Sequence, residues 1–224
     1  MANIQIRKYW DDDDKTVKEI FTLGMSEHVP SAFMHILKQP LTQMLLMCVF
    51  CTLMTSSKSF LLPILAVTLL LAGIRQFVIY MFSEYIDTSL RLDLCNIRET
   101  YMEKEDSCFW VAEIDGQVVG TVACVRNKEH PDCLELKRMS VRRSHRGMGI
   151  AKALCRTVSD FTRDRGYSAV YLVTSVVQTD AQKLYVHMGY EKMREFLVPQ
   201  LFAKVTNFTL FEFRLNLQQG VQKD

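Results

Sequence analysis

The chain has almost no net charge. Its 27 basic and 25 acidic residues leave +2, which argues against a general nucleic-acid binder. It has no metal-ligand spacing. The seven cysteines, at 48, 51, 95, 108, 124, 133 and 155, are odd in number, and the chain is too large to need a disulfide framework. Cys48 and Cys51 have CxxC spacing but no histidine or second pair beside them, so they read as buried small hydrophobes. The GxGxxG and GK[ST] fingerprints of nucleotide-binding loops are missing, as are internal repeats and low-complexity linkers. The start, MANIQIRKYWDDDDK, is polar and acidic and reads as no signal peptide. Its aspartates read as the acidic first turn of a helix, where carboxylates favour the positive dipole end.

The most apolar block runs from 41 to 82. Leu41 to Met54 is apolar apart from threonine, glutamine and cysteine; a polar stretch over 55–59 interrupts it, and Phe60 to Phe82 resumes it, broken by Arg75 and Gln76. The first run, about 21 Å as a helix, is short for a span; the second is long enough but carries Pro63 and Arg75. Near the end of its run Arg75 can snorkel to the headgroups. We read a helical hairpin, spanning or re-entrant, with its turn at 55–59. The competing reading is a buried helix pair, but too little chain is left uncommitted to bury both. Topology favours the hairpin as well. Asn3 to Tyr9 alternates like a strand; if it joins the sheet of later strands, both ends of the block lie on one side of the membrane. The flanking charges, Lys38, Lys58 and Arg75, do not decide orientation.

The remainder reads as a mixed α/β domain. Helices are expected over 11–25, 84–102, 150–166 and 180–188, the second with Leu90, Leu94, Ile97 and Tyr101 on one face. Strands are expected over 108–113, 117–126, 134–141, 169–176, 196–198 and 208–215. Asp115-Gly116 is a hairpin turn. The expected division is 1–36 as the first strand and helix of the domain, 37–82 as the membrane hairpin, 83–217 as the domain core and 218–224 as a flexible tail.

The chemistry concentrates in ELKRMSVRRSHRGMGIAKA, Glu135 to Ala153. A strand runs through a short loop containing Gly147 and Gly149 into a helix. Glycines let backbone approach an anion closely, and a helix N-terminus offers unpaired N–H groups. Lys137, Arg138, Arg142, Arg143, His145 and Arg146 crowd the same stretch. A nucleic-acid or nuclear-import patch is the competing reading; a ligand with a pyrophosphate and a further phosphate explains the cluster better.

Arg146-Gly147-Met148-Gly149-Ile150-Ala151 resembles the R/Q-x-x-G-x-G/A signature of the GCN5-related N-acetyltransferase (GNAT) superfamily. The run from Ala181 through Leu184 and Tyr185 to Gly189 and Tyr190 resembles that fold's A-x-x-L-Y-x-x-x-G-F/Y helix. The pair, set around a strand, is specific. The whole chain is similar to the camello-like (family-8) N-acetyltransferases: it shares IRKY at its start, GM-x-EH-x-P from Gly24 to Pro30, the apolar insert, SCFWVAE from Ser107 and GIAKAL-x-RTV from Gly149.

The resemblance implies a GNAT fold, a largely antiparallel mixed sheet with flanking helices, here carrying an inserted apolar hairpin. It implies acetyl-CoA as co-substrate, no metal, and residence in membranes of the endoplasmic reticulum and Golgi region. The implied acceptor is either the α-amine of cysteine S-conjugates or lysine side chains of proteins, with histone acetylation and cell-adhesion roles attributed to some members. By the same resemblance the loop amides of Gly147, Met148, Gly149, Ile150 and Ala151 hold the pyrophosphate with Arg142, Arg143 and Arg146, and Met139 and Val141 give backbone contacts to the thioester. Glu135 is the candidate general base, against a salt-bridged surface glutamate. Tyr185 is the candidate proton donor to the leaving thiolate, against a packing tyrosine. His145 and His187 read as structural, Cys124 and Cys133 as strand residues. Gln178 stands where the family often has asparagine, which puts its CoA contact in doubt.

Two other classes compete: a non-catalytic CoA-binding membrane protein acting in adhesion or the secretory pathway, and a soluble nuclear histone acetyltransferase. The apolar block weighs against the latter. One sequon, Asn207-Phe208-Thr209, falls in an expected strand; reduced-looking cysteines and the cytosolic supply of acetyl-CoA favour a cytosolic catalytic face.

Overall fold

The structure is a computed structural model that describes residues 4–57, 59–197 and 201–217. Seven strands form one sheet in the order β1-β2-β3-β4-β5-β7-β6. They are β1 Gln5–Lys8, β2 Cys108–Ile114, β3 Gln117–Arg126, β4 Cys133–Val141, β5 Ala169–Ser175, β6 Glu191–Leu197 and β7 Thr209–Asn216. The helices are α1 Asp14–Ser26, α2 Val29–Leu37, α3 Pro40–Ser57, α4 Leu61–Arg91, α5 Ile150–Asp164, α6 Thr179–His187 and α7 Leu201–Thr206. All pairings are antiparallel except β4 with β5.

β1 pairs with β2, so both sides of the apolar insert feed one sheet. The acidic run forms a 3₁₀ turn, Asp11–Asp13, that leads into α1 at Asp14. Asp13 accepts from the Trp10 amide at 2.9 Å and from the Arg7 guanidinium at 2.7 and 2.9 Å, locking β1 to the start of α1. Asp115 and Gly116, both at positive φ, turn β2 into β3.

Two cores flank the sheet. On one face α5 lays Ile150, Leu154, Cys155 and Val158 against Val122, Leu134, Leu136, Val170 and Leu172. Gly120 allows the approach, since a Cβ there would meet Ile150 Cγ2 at 3.1 Å. On the other face Val17, Ile20 and Phe21 of α1 and Ile86 of α4 cover Phe109, Val111 and Ala123.

The insert departs from the sequence reading in two ways. The helix expected from 84 to 102 is not separate: α4 runs unbroken to Arg91, crosses the expected 82/83 boundary, and is followed by a single π turn at Arg98–Met102. Nothing in α4 after Pro63 is a strong helix breaker, and its polar residues Arg75, Gln76, Ser83 and Glu84 all lie on the exposed side. Ile74, Val78, Phe82, Ile86 and Ser89, spaced three or four apart, face the domain. Second, Cys48 and Cys51 are exposed on α3, not buried. They belong to a hairpin whose outer surface is largely apolar: Leu41, Met44, Leu45, Met47, Leu62, Leu65 and Leu69 are all exposed. The hairpin itself matches the reading: α3 and α4 are both long and apolar enough to cross a membrane, and little of either is buried against the protein.

Other boundaries moved as well. α2 was not foreseen. The last hairpin is longer than read, with β6 beginning at Glu191; Val198 lies outside the described residues, as do Asn3 and the tail at 218–224. Asn207 of the sequon sits exposed in the turn before β7, at φ +51°.

Candidate active site

The site is made by two strands that part. β4 and β5 pair in parallel over Cys133, Leu134 and Glu135 against Ala169, Val170 and Tyr171, and over no further residue. Beyond those rungs β4 is bent by a bulge. Ala123 faces Lys137 and Thr121 faces Ser140, so Arg138 and Met139 share Val122. Arg138 carries the bulge at φ +54°, a conformation that costs a non-glycine residue about 1–2 kcal/mol. The Thr121 hydroxyl donates to its carbonyl at 2.9 Å. The extra residue resets the alternation of side chains. Leu134 and Leu136 face the α5 core, and so do Met139 and Val141.

The strand then enters the loop. His145 N donates to Arg142 O at 2.9 Å in a 3₁₀ turn. Gly147 and Gly149 follow at φ +79° and +85°, where glycine is favoured because it has no Cβ; a Cβ at either would meet nothing within 4 Å, so the space above them is open. α5 starts at Ile150 with no side chain capping it. Its first helical bond is Ala153 N to Gly149 O at 3.0 Å, which leaves the amides of Ile150, Ala151 and Lys152 as first-turn donors at the positive dipole end. Ile150, 1% exposed, pins this end into the core. A cleft of about 700 Å³ opens beside the loop, lined by Leu23, Gly24 and Glu27 of the α1–α2 elbow and by Val141, Arg142 and Arg143.

The basic cluster divides. Arg142 pairs with Glu19 at 2.9 Å, Arg146 with Glu27 at 2.7 Å, and Lys137 with Glu135 at 3.7 Å. Arg138 turns away, into a half-buried site against Asp93. Among the described residues Arg143 alone of these arginines has no ion-pair partner, and it is exposed at the cleft. So four of the clustered cations are already matched, and the cluster read as phosphate-seeking is in part structural. His145 bonds Ser144 Oγ and His187 bonds Lys152 Nζ, both at the surface.

The two acid–base candidates lie on opposite faces. Tyr185 is buried on the α5 side, with ring centroids 5.6 Å from Tyr190 and 6.0 Å from Phe213. Burial, with the Cys155 thiol adding to it, pushes its phenol well above the ordinary tyrosine value. Glu135 alternates to the other face, partly buried, on the last rung before the strands part, opposite Tyr171. β4 and β5 cease to pair just beyond this rung.

Sequence reasoning missed the α1–α2 elbow. Gly24 brings α1 onto the end of β4, where a Cβ would stand 2.8 Å from Ser140 Oγ. His28 then reaches the β5 side: its Nε2 lies 3.4 Å from Gln178 Nε2. Gln178 is held by its oxygen, which accepts from Ser175 N and Thr174 Oγ1 at 3.0 Å and Ser175 Oγ at 3.1 Å. Its amide group is therefore the donor to His28. Burial lowers the His28 imidazole below its ordinary value, and Arg146 adds to the effect against Glu27 and Asp180. The signal was present in GM-x-EH-x-P, but no spacing rule connects His28 to Gln178.

An open sheet with a glycine loop and an uncapped helix end at its splayed strands defines an anion-binding class of site. The acetyltransferase (GNAT) family model matches residues 75–190, and the chain belongs to that family. Within it, the chain is 45% identical over 195 residues to N-acetyltransferase 8F1 of Rattus norvegicus, covering 86% of this chain and 88% of that one. It is 38% identical over 218 residues to the probable N-acetyltransferase camello of Xenopus tropicalis, covering 97% and 100%. Among solved structures, a GCN5-related N-acetyltransferase from Kribbella flavida superposes with a TM-score of 0.57 at 16% identity, covering 96% and 98%. YncA of Salmonella typhimurium, solved with its cofactor acetyl-CoA, gives 0.54 at 13%, covering 99% and 98%. The chain is thus an N-acetyltransferase of the N-acetyltransferase 8 and camello group.

Proposed function

We propose that this chain is a membrane-bound enzyme that transfers acetyl from acetyl-CoA to the amine of a small amphipathic acceptor, with the α-amine of a cysteine S-conjugate preferred to a protein lysine. The carrying observation is the uncapped start of α5 beside Gly147 and Gly149, next to the divergence of β4 and β5. Those donors suit a diphosphate, since they are unpaired, convergent and open.

Acetyl-CoA supplies the acyl group as a thioester. The amides of Gly147, Met148, Gly149, Ile150 and Ala151 hold the diphosphate, with Arg143 free to add a charge and Arg142 and Arg146 at the rim. The bulged strand offers the backbone of Met139 and Val141 to the thioester oxygen as negative charge grows there. Glu135 takes the amine's proton, directly or through water. Tyr185, kept protonated by burial, donates to the departing sulfur. Gln178 steadies the β5 side of the opening.

The acceptor preference rests on what stands beside that opening. Val176 and Val177, at the end of β5, pack with Ile74, Val78 and Phe82 of α4 and with Ala32 and Ile36 of α2. An acceptor with an apolar body therefore approaches along the hairpin, at the level where α3 and α4 enter the membrane. The hairpin, with Tyr80 and Tyr85 exposed toward its domain end, suits a membrane anchor with interfacial aromatics, and the family resemblance points to endoplasmic reticulum or Golgi-region membranes. The five free cysteines outside the hairpin, Cys95, Cys108, Cys124, Cys133 and Cys155, suit a catalytic domain on the cytosolic side.

An acetyl-CoA turnover assay against a panel of S-conjugates and lysine peptides tests the reading: S-conjugates should be turned over, and faster as their apolar group grows. Turnover of lysine peptides alone would move the assignment to protein acetylation. Carbonate extraction tests the membrane part, with the chain expected to stay in the pellet, and a glycan on Asn207 would place the domain in the lumen.

A further inference from the structure

Arg138 stands at a position that bulges of the G1 type, with a left-handed first residue, give to glycine. It is the first of two residues facing Val122 and has φ +54°. Its side chain supplies a reason for that. The guanidinium, 10% exposed, bonds both oxygens of Asp93, Nε to Oδ2 at 2.7 Å and Nη2 to Oδ1. Nη1 donates to Ser89 Oγ at 3.0 Å and Tyr85 Oη at 3.2 Å. The group lies over the Phe21 ring at 4.9 Å. Asp93 also accepts from the Tyr101 hydroxyl. Nε and both terminal nitrogens are thus engaged on the face of the sheet opposite the α5 core, so Arg138 is not presented to a phosphate at the loop. Tyr85 and Ser89 belong to α4, whose other end is the apolar hairpin, and Asp93 follows it by two residues.

We propose that Arg138 is a positioning residue: its clamp onto Tyr85, Ser89 and Asp93 at the base of the membrane helix holds the β4 bulge so that the Met139 amide is aimed at the acyl group. This rests on the reading of the thioester site given above. A planar fork suits the task, because two parallel bonds to one carboxylate fix the direction of the side chain as well as its position. The same contacts make the α4 base a part of the acyl site rather than only an anchor.

The test uses the full chain in detergent micelles and needs no acceptor. Isotope-edited infrared spectroscopy of bound acetyl-CoA, carbon-13 labelled at the thioester carbonyl, reads the hydrogen bond to that oxygen. Hydrogen exchange of the 136–141 segment without ligand reads the order of the bulge. Arg138→Gly keeps the φ allowed while removing the clamp, and Asp93→Asn removes the partner charge. The wild type should shift the carbonyl band to lower wavenumber. Both variants should lose half or more of that shift and exchange at least tenfold faster, with acetyl-CoA Kd within about threefold of wild type. Should either variant fail to fold, Tyr85→Phe and Ser89→Ala each remove one bond and should give smaller losses of shift. An unchanged band in folded variants overturns the clamp. A wild type that binds acetyl-CoA with no band shift overturns the aim of the bulge, whereas a wild type that binds none overturns the underlying site assignment instead.

Discussion

Arg146 of the glycine loop lies 2.7 Å from the carboxylate of Glu27 on the α1–α2 elbow. The elbow thereby occupies the cation that leads into the proposed diphosphate cradle and places a negative charge beside it. Both side chains are partly exposed, at 48% and 29%, so the pair is worth no more than about 0.2–1 kcal/mol. Glu27→Gln should tighten acetyl-CoA binding by about two- to fivefold by releasing Arg146, as measured by calorimetric titration. Weaker binding in that variant would mean that the pair builds the site instead of competing with its ligand.

His28 should impose an acid limit on stability. Its imidazole is lowered by burial and by Arg146, opposed by Glu27 and Asp180, and it receives the Gln178 amide at Nε2. Protonation would set two donors against each other. The unfolded chain binds this proton near pH 6.5 and the folded chain only at lower pH, so stability falls as pH drops below about 6.5 and stops falling once the folded group titrates. Melting temperature measured between pH 7.5 and 5.5 should fall more steeply for wild type than for His28→Gln. Parallel curves would remove His28 from the account.

Tyr185→Phe should lower kcat by about 10²-fold or more with little change in acetyl-CoA affinity, because only the hydroxyl is removed and the ring packing with Tyr190 and Phe213 remains. Since its phenol is held above the usual tyrosine value, the wild-type rate should show no loss assignable to this group up to about pH 10. A variant with the wild-type rate would make Tyr185 a packing residue.

The exposed apolar surface of the hairpin predicts sensitivity to a single charge. Leu65 and Leu69, on the outer side of α4, are 54% and 63% exposed. Leu65→Lys should cost about 2.5–3.5 kcal/mol of insertion if the site reaches mid-membrane, and should raise the share released by carbonate. Unchanged retention would put this stretch near the interface.

The parts of this site that were legible in the sequence are local ones. Gly147, Gly149 and the apolar face of α5 lie within a few residues of one another, and the strand, glycine turn and helix that they dictate are what the structure has. The helix expected over 180–188 is equally local and is found as α6, Thr179–His187, and Asp115-Gly116 names its own turn. What failed depended on distant contacts or on a change of environment within one element. α4 begins as a helix apolar all round and ends as an amphipathic one, so its polar residues looked like a break when they mark only the outward side of one continuous helix. Cys48 and Cys51 have core-like composition but no protein around them. Arg138 looked like part of a phosphate patch because its partners, Asp93 and Ser89, lie 45 and 49 residues away. His28 and Gln178, 150 residues apart, meet only because Gly24 lets α1 close onto β4.

Titration of acetyl-CoA into the purified full chain, wild type against Gly149→Asp, bears most directly on the central claim that the open start of α5 is the cofactor cradle. The space above Gly149 is empty of protein atoms, but its φ of +85° resists any side chain, and a carboxylate there would face the diphosphate. The account predicts saturable binding to wild type and a loss of at least 100-fold in the variant, with the fold retained by circular dichroism. Equal affinity in the two proteins would contradict it.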